Sequence, residues 1–161
     1  MPKLYATKND LSEQTRSQMI ALCNARLADS VDLQTQVKQA HWNVKGLQFY
    51  ALHLLFDKIY ETNEVAIDVM AERAVALGGV AEGTIGAVTK ATTLPAYPLD
   101  AADGKVHLAR LARSLATFGE AVRQAIERAD QLEDKGTADV FTEVSREADK
   151  SLWLVEAHLQ K

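Results

Sequence analysis

Four stretches of the chain carry apolar residues at helical spacing. The first holds Ile20, Cys23, Leu27 and Val31, and the second Leu52, Leu55, Phe56, Ile59, Ala66, Met70 and Ala74. The third holds Leu108, Leu111, Leu115, Phe118, Val122 and Ile126, and the fourth Phe141, Val144, Ala148, Leu152, Val155 and Leu159. Steps of three and four put each set on one face of a helix. No stretch alternates as a strand would, and there is no internal repeat. The pattern is all-α.

Breakers divide the four helices. Residues 1–8 form a short tail, and Asp10 with Glu13 reads as a capping box for the first helix. That helix runs to about His41, with a turn over 43–46. The second covers roughly 47–77 and stops at Gly78-Gly79. Residues 78–100 make a long connection, with room for a short helix over 81–88. Connections of this length are uncommon and often functional, and this one can cross the full height of a bundle. Asp100 can cap the third long helix, and 134–137 combines a stop with the next N-cap. Residues 1–161 form one domain. Four long amphipathic helices with one long crossover, between the second and third, describe a ferritin-like four-helix bundle.

Composition narrows the class. Of 161 residues, 47% are hydrophobic, enough for an ordinary core. The net charge of −4 argues against nucleic acid as an obvious partner. The single Cys23 permits no internal disulfide and fits a reducing cytoplasm. No leader opens the chain and no apolar run is long enough for a membrane span, so a cytoplasmic location is expected.

The second helix carries the candidate chemistry. His53 and Asp57 are four apart, as are Asp68 and Glu72, so each pair shares a helix face. Asp57 and Asp68 are eleven apart, which returns them to one stripe but separates them by ~16.5 Å. Glu61 and Glu64 join the stripe. The two pairs cannot share an ion within one straight helix. Two copies packed antiparallel about a two-fold axis near residues 62 and 63 would set His53 opposite Glu72 and Asp57 opposite Asp68. A two-fold contact is self-complementary, so the pairing occurs twice. Imidazole with carboxylates suits Fe, Mn, Zn or Co. Charged residues at this spacing are more often a solvated face, and spacing alone leaves that reading open.

The Glu-x-x-His motifs of an intra-bundle di-iron site are absent, since no histidine here has a glutamate three residues before it. His107 reads as surface or satisfied core. His158 reads as a residue near a helix C-terminus, favourable to the dipole.

Several segments together resemble the Dps family, the DNA-binding proteins from starved cells, or mini-ferritins. They are KQAHWNVKG at 38–46, ALHLLFD at 51–57, IDVMAERAVALGG at 67–79, YPLD at 97–100, TADV at 137–140 and DKSLWLVEAHL at 149–159. The likeness runs from about Leu4 to the C-terminus. The spacing H-x11-H-x3-D-x10-D-x3-E is specific to the family.

The resemblance implies a hollow homo-dodecamer with ferroxidase centres at its two-fold interfaces. His41, His53 and Asp57 would come from one subunit, and Asp68 and Glu72 from its mate. It implies oxidation of Fe(II), with hydrogen peroxide preferred over dioxygen, and storage of ferric oxide in the shell. Iron is the only metal implied, with no organic cofactor and no membrane partner. Trp42 would lie near the centre, as interface packing or as a radical sink. Acidic three-fold pores for incoming iron are expected, with Asp130, Glu133, Asp134 and Asp139 as candidates. DNA contact in the family comes from a lysine-rich tail. Here only Lys3 and Lys8 precede the first helix, which leaves DNA binding open. Arg110, Arg113, Arg123 and Arg128 read as a solvated face. Two other readings compete with ferroxidase: a DNA-compacting shell with minor iron chemistry, and Zn clamps that hold an assembly together.

Overall fold

A computed structural model describes residues 4–160. The helices are α1 (Glu13–Asn43), α2 (Phe49–Ala76), the short α3 (Ile85–Ala91), α4 (Gly104–Gln131) and α5 (Lys135–Glu156). No strand occurs among the described residues, so the all-α expectation holds. Five residues join α1 to α2 and three join α4 to α5, short enough to force antiparallel neighbours. α1 packs on α2 and α4 on α5, and the two hairpins close through α1 on α4 and α2 on α5. The core has fully buried Phe56, Phe118 and Phe141 at its centre, with Met19, Cys23, Val37, Met70 and Leu111 around them. Each buried phenylalanine contributes roughly 1.5–3 kcal/mol of apolar transfer.

The helix starts differ from expectation in three places, each for a local reason. α1 begins after Ser12, not Asp10: Ser12 Oγ accepts from Thr15 N at 3.0 Å. Asn9 Oδ1 accepts from Leu11 N, which keeps Asp10 in a turn. α4 is capped by Asp103, not Asp100, through Lys105 N at 2.8 Å. Lys45 N bonds Ala102 O at 2.9 Å, and this pairing holds the chain extended until the helix can start. The short helix lies later than 81–88 because the Asn24 side chain bonds Val80 O and Glu82 N and fixes that stretch as a loop.

α1 holds the crossover down with polar side chains. Asp29, 0% exposed, pairs with Arg26 at 2.7 Å and accepts from Thr93 N at 2.7 Å and Thr93 Oγ1 at 3.0 Å. Asp32 takes Thr92 Oγ1, and Gln36 donates to Pro95 O. These bonds answer the crossover's backbone polar groups where apolar packing could not. α2 stops at Gly78, whose φ of 90° suits glycine, and Tyr5 N bonds Gly78 O at 2.7 Å. The expected tail is thus partly docked from Leu4 onward.

Candidate metal centre

His41 ends α1, and His53 and Asp57 occupy the first turns of α2. The tight 44–48 turn folds these helix ends onto each other. The two imidazoles stack with centroids 3.6 Å apart and planes at 22°. Each ring uses Nδ1 on the other's backbone: His41 Nδ1 lies 2.9 Å from His53 O, and His53 Nδ1 lies 2.9 Å from His41 O. A carbonyl can only accept, so both Nδ1 atoms carry the proton in the neutral rings. That assignment leaves both Nε2 lone pairs free. A metal-ligating histidine is ordinarily held in this way, with one ring nitrogen anchored and the other left for the metal.

Asp57 completes a cluster in which one donor atom each from His41, His53 and Asp57 lie within 4.8 Å of one another. Asp57 Oδ1 is 3.2 Å from His41 Nδ1 and 2.6 Å from Lys38 Nζ. The Lys38 hydrogen bond is the main cause that holds the Asp57 carboxyl below its ordinary range. Desolvation opposes it, and the charges of His41, Lys38 and His53 assist. Lys38 sits one turn before His41 on α1, with its ammonium 4.6 Å from the Tyr60 ring centroid. Sequence reasoning missed Lys38. Its i, i+3 relation to His41 was the available signal.

The structure brings three of the five expected ligands together. Asp68 and Glu72 lie further along α2, exposed, and belong to no such cluster among the described residues. Around the centre and along α2, Trp42, Leu47, Phe49, Tyr50, Leu54, Val65 and Val75 are all exposed apolar side chains. An uncovered apolar surface of this kind marks an interaction face.

The other expected residues divide. Glu133 and Asp139 are exposed, and Asp130 is exposed with Lys135 Nζ 2.7 Å away. Asp134 must be removed from the pore candidates. It is 3% exposed, caps α5 through Thr137 N at 3.0 Å and pairs with Arg73 at 2.7 Å, so its carboxylate is spent inside the subunit. Lys8 is exposed, whereas Lys3 lies outside the described residues. Arg110, Arg113, Arg123 and Arg128 are exposed, with Arg123 paired to Asp149 at 2.8 Å. His158 is exposed beyond α5, and His107 is fully buried.

Comparison with known proteins bears on the family and the fold. The family model for the ferritin-like domain matches residues 20–161. A "DNA protection during starvation protein" of Agrobacterium fabrum is 43% identical over 159 residues, covering 99% of this chain and 98% of its own. One from Mycolicibacterium smegmatis is 32% identical, covering 93% of this chain and 81% of that protein. Among solved structures, DpsC from Streptomyces coelicolor superposes with a TM-score of 0.94 at 32% identity, over 99% of this chain and 93% of that one. Mycobacterium smegmatis Dps gives a TM-score of 0.93 at 31% identity, over 99% and 96% of the two chains. With its ferritin-like bundle and these relatives along nearly its whole length, the chain belongs to the Dps family.

Proposed function

We propose that this chain is a ferroxidase and iron-storage mini-ferritin of the cytoplasm. It assembles as a hollow dodecamer and oxidises Fe(II) at centres shared by two subunits, with hydrogen peroxide preferred over dioxygen. Ferric oxide collects inside the shell, and DNA is protected because iron and peroxide are consumed together. One observation carries the reading. His41, His53 and Asp57 form a three-donor cluster with both Nε2 atoms free, and Asp68 and Glu72 stand unused on the same helix. The exposed apolar residues of α2 support a two-fold partner that would bring the missing carboxylates.

The chemistry follows from the donors. Two Fe(II) give one electron each to a peroxide, which with two protons becomes two water molecules. Paired electrons avoid release of hydroxyl radical. Asp57, with Asp68 and Glu72 from the mate, stabilises the Fe(III) charge, and the imidazole nitrogens hold the incoming Fe(II). Few ligands per ion leave positions for peroxide and for product to depart. Glu133 and Asp139, with Asp130, remain candidates for lining a three-fold pore.

Anaerobic Fe(II) followed by peroxide tests the reading. About two Fe(II) should be consumed per peroxide, with the iron retained in a soluble shell. Oxidation and precipitation at the buffer rate would reject it. The names of the relatives, together with exposed Lys8, also support direct DNA binding as a second reading. It predicts a gel shift that weakens with salt and is lost when residues 1–8 are removed.

A further inference from the structure

Half-buried Tyr97 and fully buried His107 form a pair that the proposed metal chemistry does not use. Tyr97 Oη lies 2.7 Å from His107 Nδ1, and the rings are 6.1 Å apart with planes at 16°. Tyr97 closes the crossover that Asp29 and Asp32 hold on α1, and His107 sits in the first turn of α4, 0% exposed. His107 meets residues that neighbour the candidate ligands along the chain. The carbonyl of Asn43, two residues after His41, faces the imidazole together with that of Ala101. The His107 ring also meets the edge of Phe56, the neighbour of Asp57, at 6.4 Å.

Burial favours the neutral forms of both groups. It lowers the His107 pKa from its ordinary value, and it pushes the Tyr97 phenol well up. The phenol then donates its O–H, and His107 accepts at Nδ1 with its own proton on Nε2. Nε2 makes no hydrogen bond of good geometry at rest. The Asn43 and Ala101 carbonyls and the Asp103 carboxylate favour an imidazolium when one forms.

We propose that Tyr97 and His107 are a one-electron reserve for the metal centre, in which the phenol proton passes to His107 Nδ1 as an electron leaves the ring. This rests on the ferroxidase reading. A centre holding a single Fe(II) gives peroxide only one electron, forming Fe(III), hydroxide and a hydroxyl radical. Tyr97 supplies the second electron and reduces the radical to hydroxide. The Tyr97 O–H bond breaks, an N–H bond forms on His107, and a phenoxyl radical remains beside the imidazolium. The next Fe(II) reduces the phenoxyl, and the proton returns. The sum is again two Fe(II) per peroxide. Tyr60 is a poorer donor, because the Lys38 ammonium over its ring opposes loss of an electron.

Two experiments test this on the assembled protein. In iron-free protein, a flash-quenched ruthenium photo-oxidant with electron paramagnetic resonance should show a phenoxyl radical. That signal should vanish in Tyr97→Phe and change in lifetime in His107→Gln, where Tyr97 is intact. A radical that persists unchanged in Tyr97→Phe, for example on Trp42 or Tyr60, overturns the inference. This arm is independent of whether the centre oxidises iron. In the second arm, one Fe(II) per centre is followed by peroxide and a spin trap. Tyr97→Phe should release several-fold more trapped hydroxyl radical than wild type, and equal release overturns the inference. Failure of wild type to oxidise iron, with the phenoxyl present in the first arm, rejects the metal-centre reading and not the pair.

Discussion

Lys38 holds its ammonium 2.6 Å from Asp57 Oδ1, on the one carboxylate that this subunit gives to the candidate centre. A cation tethered to the protein therefore occupies a position that an incoming metal ion must share or take. Lys38→Met removes that competitor and leaves the stem volume. The pair is partly exposed, so screening limits its strength. Divalent-metal affinity should rise roughly two- to fivefold, a gain of the size such pairs supply. Titration calorimetry with Co(II) under nitrogen measures it, and an unchanged or weaker affinity contradicts the competition. The Asp57 carboxyl should also titrate closer to its ordinary value, since Lys38 is the main cause of its depression.

The proposed two-subunit construction gives a complementation test. His53 and Glu72 are separated by ~28 Å along one helix, taking 1.5 Å for each residue. His53→Ala and Glu72→Ala should each be nearly inactive as pure shells. In a mixed dimer, one location receives both lesions and the other receives none. Co-assembled shells should recover a measurable part of wild-type oxidation. Proven mixing without recovery rules out a shared centre.

Asp134 ties α5 to α2, and its loss should be costly. It caps α5, bonds Thr137 and neutralises Arg73 from α2. Asp134→Ala leaves Arg73 half-buried without its partner and should cost about 2–4 kcal/mol. Denaturant unfolding measures this, and a loss under ~1 kcal/mol would contradict the assignment.

Acid should act on the same carboxyl. Burial alone would raise its pKa, but the Thr137 hydroxyl and backbone and the Arg73 guanidinium outweigh that and leave it lowered. A depressed folded pKa means the unfolded chain takes up protons first as pH falls. The stabilisation is present above the ordinary carboxylate pKa and is lost as pH falls through the folded value. The wild type should lose stability below about pH 4, and Asp134→Ala should show a shallower acid dependence. Equal slopes for the two proteins would be the contrary result.

Glu133 sits at φ 59° after α4, a left-handed position held by a non-glycine residue. Such a conformation costs roughly 1–2 kcal/mol for an L-residue. Glu133→Gly should relieve about 1 kcal/mol and raise the unfolding midpoint by ~2–4 °C for a chain of this size. A lowered midpoint would show that the glutamate side chain makes a stabilising contact of its own. Slower iron uptake in the same variant would support its place among the pore candidates.

The four long helices, the long crossover and the paired four-residue spacing of His53, Asp57, Asp68 and Glu72 were legible along the chain, because helical period and the four-residue rule act locally. That the two half-sites cannot meet within one subunit follows from rise per residue alone. Helix starts were less legible. Ser12 and Asp103 prevailed over Asp10 and Asp100 because bonds from Asn9 and the Lys45–Ala102 pairing fix the preceding backbone. Only the tertiary structure decided that Asp134 turns inward, since its partner Arg73 lies 61 residues away on another helix. The same holds for Lys38 on Asp57, for the carbonyls that fix both histidine tautomers, and for the meeting of Tyr97 with His107. Each depends on side chains from different elements approaching within hydrogen-bond distance. Spacing along one helix states which residues share a face, whereas packing between helices decides what that face meets.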